Sequence, residues 1–82
     1  MKIVWDEPKR LVNLANHQMD FARLTVEFFE TSTVFPAKRE RYVAVGELNG
    51  ETIVAVVFKP LGSEAVSVIS MRPASRKERK AI

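Results

Sequence analysis

The chain has 82 residues, 46% of them hydrophobic, with thirteen Lys and Arg against ten Asp and Glu, one His and no Cys. That length holds one hydrophobic core, so residues 1–82 are read as a single domain, and the apolar share argues against global disorder. The missing cysteines exclude a disulfide scaffold and thiolate metal sites, and one His without partners points away from zinc; no metal and no cofactor are expected.

In chain order, Lys2 to Trp5 reads as a short strand ended by Asp6. Asp6-Glu7-Pro8 is a helix start, with Asp as N-cap and acidic and proline residues in the first turn. The helix should run to Asn16 or His17, with Leu11, Leu14 and Ala15 inward and Lys9, Arg10 and Asn13 largely outside. After a break at His17-Gln18-Met19, Asp20 should cap a second helix. There Phe21, Leu24, Thr25, Phe28 and Phe29 repeat at helical spacing, and this apolar stripe reads as core.

Pro36 marks Thr31 to Lys38 as a loop or an edge segment. A strand is expected from Arg39 to Glu47, then a two-residue hairpin at Asn49-Gly50 of the type I′ kind. Glu51 to Lys59 follows as a central strand covered on both faces. Pro60-Leu61-Gly62-Ser63 is the next turn. The last strand alternates, with Val66, Val68 and Ser70 on one face and Ala65, Ser67, Ile69 and Met71 on the other. Past Pro73, Ser75 and Glu78 form the spacing of a capping box on a short basic helix. The expected fold class is α+β, in the order β-α-α-β-β-β-α, with two N-terminal helices packed on an antiparallel sheet.

The charge is concentrated at the end. Residues 72–80 carry five cations (Arg72, Arg76, Lys77, Arg79, Lys80) against Glu78, whereas residues 1–71 hold eight cations and nine acids. The longest apolar run, Ile53 to Phe58, is too short to span a bilayer, and Asp6-Glu7 interrupts the N-terminus before any apolar leader. A soluble cytoplasmic domain with no membrane partner is expected.

Four stretches, in register from residue 3 to residue 79, resemble the BrnT family of type II toxin–antitoxin modules. They are Val4-Trp5-Asp6-Glu7-Pro8-Lys9, Asn13 with Asn16-His17-Gln18-Met19-Asp20-Phe21, Arg41 to Gly46, and Val68 to Arg79. The resemblance implies a RelE-like fold and a ribonuclease that cleaves mRNA, ribosome-associated mRNA included, and so arrests translation. It also implies neutralisation by a BrnA-type antitoxin in a hetero-oligomer, with DNA engaged only through the antitoxin at the promoter. The chain departs from the family pattern at Gln18 (usually Gly), Asn16 (usually Lys) and Ser67 (often Arg).

RNA cleavage without a metal needs a base for the 2′-OH, cations for the charged phosphorus and an acid for the leaving 5′-oxygen. Arg72 fits the cation role, since a guanidinium forks onto phosphate oxygens; it could equally be an ion pair tying the last helix to the sheet. Arg41 could add a second phosphate contact, or be an edge charge that discourages aggregation. His17 is the acid/base suspect as the one imidazole, with helix capping or packing as the plainer role. Trp5 could stack on a base or sit in the core. Lys9 could reach a phosphate or be solvated. Arg76, Lys77 and Arg79 offer a polyanion general attraction, or form a solvated helix end, or dock an antitoxin segment. Glu78 reads as an arginine partner or the far half of the Ser75 cap. Three functions stay open: an mRNA-cleaving toxin, which is favoured; a catalytically degenerate module that binds antitoxin and contributes to autoregulation; and a plain basic nucleic-acid-binding domain.

Overall fold

The computed structural model describes residues 1–50 and 52–82. One sheet contains five strands: β1 (Lys2–Trp5), β2 (Thr33–Pro36), β3 (Tyr42–Leu48), β4 (Thr52–Leu61) and β5 (Ala65–Pro73). Their spatial order is β1-β5-β4-β3-β2. Three helices accompany them, α1 (Glu7–His17), α2 (Val26–Thr31) and α3 (Arg76–Lys80), with a 3-10 turn at Phe21–Arg23 before α2.

The α+β class stands, but the order is β-α-α-β-β-β-β-α, with one strand more than expected. Thr33-Val34-Phe35 are strand formers, and Pro36 is tolerated because it closes an edge strand that pairs with β3 alone. Arg39 and Glu40 both adopt φ of 61°, and the Ala37 amide donates to the Arg41 carbonyl at 2.9 Å. The stretch expected to begin a strand at Arg39 is therefore a turn, and β3 starts at Tyr42. The sheet is also mixed rather than antiparallel: β1 pairs in parallel with β5, from Lys2↔Ala65 to Trp5↔Val68.

The second expected helix is broken in two. Asp20 caps the 3-10 turn by accepting from the Ala22 amide, and Leu24 is then extended, at φ −71° and ψ 142°. Thr25 caps α2 by accepting from the Phe28 amide, so it starts a helix where the periodicity put it in a helix interior. The apolar stripe still does its work. Phe21, Leu24 and Phe28 are buried against Ala44, Leu48, Val54, Val56, Phe58, Val66, Val68 and Met71. Phe29 bridges Phe28 and Phe58 edge-on, each at 5.3 Å between centroids.

Two further expectations fail in α1 and β5. Asp6 occupies the N-cap position of α1 without a side-chain capping bond. Leu11 and Ala15 are exposed and Leu14 is half-buried, whereas Asn13 is the buried residue of the helix. The reason is that α1 lies beside β5 beyond the end of β1, where strand backbone needs a polar partner rather than an apolar one. In β5, Val57 pairs with Ser70 and Phe58 with Val68, which leaves Ile69 as a bulge. The bulge shifts the alternation by one, so Val66, Val68 and Met71 share the core face and Ser70 and Arg72 share the opposite one.

Asn49 and Gly50 take φ of 54° and 71°, as the turn signal requires, but Leu48 pairs with Thr52, so the connection is one residue longer than the two-residue hairpin expected. The expected strand start at Glu51 lies outside the described residues. Pro60 and Leu61, expected in a turn, extend β4 by pairing with Val66 and Ala65. β4 is central, as expected. No described helix is long and apolar enough to cross a membrane.

Candidate active site

The face of the sheet opposite the core carries Phe35, Val43, Val57, Ser70 and Arg72, by the strand registers. Two elements bound it. α1 flanks it at the β5 edge, and α3 lies across it, with Glu78 against Arg72 and with Lys77 and Ala81 near Phe35 and Val43.

Between α1 and β5 runs an open groove of ≈ 420 Å³, lined by Pro8, Lys9, Val12, Asn13, Asn16, His17, Ile69 and Ser70. Residues 9, 13 and 17 fall on one face of the helix at successive i,i+4 steps. Lys9 and His17 stand about 12 Å apart along it. Asn13, between them, fixes the groove. Its Oδ1 accepts from the Met71 amide at 3.0 Å and its Nδ2 donates to the Met19 carbonyl at 3.0 Å. The first bond satisfies a β5 amide that has no neighbouring strand, and the second ties down the chain after the helix. Helix α1 ends at Gln18, held in the left-handed region at φ 54°, with its amide bonded to the Leu14 carbonyl.

Arg72 is two residues from Ser70 on the same face, and the structure realises its ion-pair reading. Its Nη1 donates to Glu78 Oε1 at 2.6 Å and its Nη2 to Oε2 at 2.9 Å, a bidentate fork, with Nη1 also 3.4 Å from the Pro73 carbonyl. Glu78 additionally accepts from the Ser75 amide at 2.8 Å, and Ser75 Oγ accepts from the Glu78 amide, completing the expected capping box. The Arg72 guanidinium and the Ser75 amide hold the Glu78 carboxyl at a pKa of about 2, and the carboxylate in turn raises that of Arg72. The Nε–H and one Nη2–H of Arg72 have no partner among the described residues.

The other candidates disperse. Trp5 is half-buried, edge-on to Phe21 at 6.3 Å, and its indole donates to Glu7 at 3.1 Å, which is its core reading. Arg41 ends the turn before β3, two strands from β5 and at the far end of the sheet, about 16 Å from Arg72 on strand spacings. It does not join the groove. Arg76, Lys77 and Arg79 are exposed on α3. Of the groove residues, sequence reasoning singled out only Lys9 and His17 as candidates, and it placed Asn13 on the outside of α1. Ser70 was obscured by the bulge, and Asn16 was noted only as a departure from a family pattern. The ring of Arg10 bonds to Glu7 and Asp20, which clasps the start of α1 to the 3-10 turn, also escaped it. Among the described residues no cluster of three His, Asp or Glu gathers.

A small mixed sheet carries on its outer face a groove with one lysine, one histidine and no carboxylate, a frame that can receive a polyanion. A family model for the BrnT ribonuclease toxin of type II toxin–antitoxin systems matches residues 5–78. The crystal structure of the Brucella abortus ribonuclease toxin BrnT is similar, with 62% sequence identity and a TM-score of 0.87, over 93% of this chain and 99% of that one. A comparison with curated proteins gave no match. The chain belongs to the BrnT family of ribonuclease toxins.

Proposed function

We propose that this toxin cleaves mRNA in the groove between α1 and β5, without a metal, and so arrests translation. The observation that carries the proposal is that Lys9 and His17 line one groove, with Arg72 two residues beyond the groove's Ser70 on the same sheet face. The lining holds no carboxylate, so a phosphodiester meets a cation and an imidazole there. In this reading the ribose 2′-OH attacks the adjacent phosphorus and the 5′-oxygen leaves, giving a 2′,3′-cyclic phosphate and a 5′-hydroxyl. His17 exchanges the proton, Lys9 neutralises a non-bridging oxygen, and Arg72 offers its two unoccupied N–H groups. Arg76 and Arg79 supply general attraction to the RNA backbone.

The partner is an antitoxin of the BrnA type, through which the complex reaches promoter DNA. A catalytically degenerate module is the second reading, favoured by the Arg72 fork being filled by Glu78 and by Asn16 lining the groove where the family resemblance expects Lys.

The test is cleavage of a defined mRNA by the purified chain in EDTA, with and without ribosomes. His17→Asn is expected to slow cleavage by about 10²-fold. Lys9→Ala is expected to slow it more than Arg41→Ala does, because Arg41 lies outside the groove. Undiminished cleavage by both Lys9→Ala and His17→Asn would remove the groove from the mechanism, and no cleavage by the wild type would favour the degenerate module.

A further inference from the structure

On the other side of α3 the same sheet face holds a second, smaller groove of ≈ 290 Å³, lined by Phe35, Pro36, Val43, Lys77, Glu78 and Ala81. Its floor is apolar and its surroundings are cationic. The turn that follows Pro36 bears Lys38, Arg39 and Arg41 against Glu40, and α3 bears Arg76, Lys77, Arg79 and Lys80 against Glu78. Glu78 is already neutralised by the Arg72 fork. The neighbouring β2 is an edge strand, with no strand on its outer side.

We propose that this groove docks the antitoxin, through an extended acidic segment that sets one apolar side chain against Phe35, Pro36 and Val43. The proposal rests on the toxin reading of the chain. Charge selects the partner: a run of carboxylates meets Lys38 and Lys77 at the rim, while the apolar floor rewards an aliphatic or aromatic anchor. The free edge of β2 gives an extended segment backbone partners beside that floor. A nucleic-acid backbone fits less well, because Glu78 forms part of the wall and the one aromatic of the floor, Phe35, is half-buried rather than an exposed plate. The antitoxin would then hold α3 from the side opposite the catalytic groove, leaving Lys9 and His17 untouched.

The measurement is titration calorimetry of the purified chain with the antitoxin expressed from the adjoining gene, alongside RNA cleavage by the free variants. The double variant Lys38→Glu/Lys77→Glu changes two exposed side chains, and Phe35→Ala, checked by circular dichroism, removes part of the floor. Both are expected to weaken antitoxin binding at least tenfold, with RNA cleavage by the double variant within about twofold of wild type. Unchanged antitoxin affinity overturns the proposal, as does a wild-type chain that binds no antitoxin. A charge reversal that lowers RNA cleavage, whether or not antitoxin affinity falls, also overturns it and assigns the groove to RNA. A chain that binds antitoxin through this groove yet cleaves no RNA upholds the docking site and overturns only the catalytic reading.

Discussion

Asn13 uses both ends of its amide, and neither can be replaced by an apolar side chain of the same size. Asn13→Leu leaves the Met71 amide and the Met19 carbonyl short of a partner inside the protein. It is expected to cost about 2–3 kcal/mol in urea unfolding. Asn13→Asp keeps the acceptor for Met71 but faces a carboxylate toward the Met19 carbonyl. Its deficit should shrink as pH falls and the carboxyl gains a proton to donate. Gln18 is the opposite case, a residue whose conformation suits another side chain. At φ 54° a β-carbon costs energy that glycine avoids, although the Gln18 side chain recovers part of it by donating to the Ala15 carbonyl at 3.1 Å. Gln18→Gly is expected to stabilise the fold by about 0.5–1 kcal/mol, read as a rise in Tm of a few degrees.

At the scale of elements, α3 is five residues long and buries none of them. Its attachment to the sheet rests on the Glu78 carboxylate, which Arg72 and Ser75 both engage. The carboxyl has a pKa of about 2 in the folded chain against an ordinary 4.5. A lowered folded pKa means stability that is present above pH 4.5 and disappears as pH falls toward 2. Urea midpoints followed from pH 6 to pH 2 should therefore fall more steeply for wild type than for Glu78→Gln, which starts lower. Equal slopes would show that the fork contributes nothing, as exposed pairs often do.

The elements also divide into those the sequence announces and those it hides. Asp20, Ser75, Glu78 and the Asn49-Gly50 turn act locally, within a few residues, and their signals survive folding. The inward turn of Asn13 does not depend on neighbours in sequence at all, since its partner amide is 58 residues away. The Ile69 bulge is equally silent: alternation continues through it in the letters while the strand changes phase in space. The candidate groove followed the same rule. Lys9 and His17 were visible one by one as side-chain chemistries, but only the seat of α1 against β5 shows that they share a cavity, and that Trp5 and Arg41 do not.

For the whole molecule, the sheet sets a gradient of order. β4 lies inside it with β3 on one side and β5 on the other, whereas β2 lies at an edge and pairs over four residues. Amide hydrogen exchange should be slowest at Val54–Val57, which pair on both sides, and faster at β2. Protection of β2 equal to that of β4 would show that the sheet opens as one unit. The cohesion of the helical layer depends on a close approach elsewhere, because a β-carbon at Gly46 would lie 3.2 Å from Ser32.

The parallel pairing of the first strand with the last bears on when the candidate groove can form. The wall of the candidate groove comes from residues 8–17 and its floor from Ile69 and Ser70. The wall is synthesised about fifty residues ahead of the floor and Arg72. Fragments abandoned before Ile69 therefore lack the groove altogether. The two parts of the groove can meet only once β5 has been made and has taken its place beside β1 and α1.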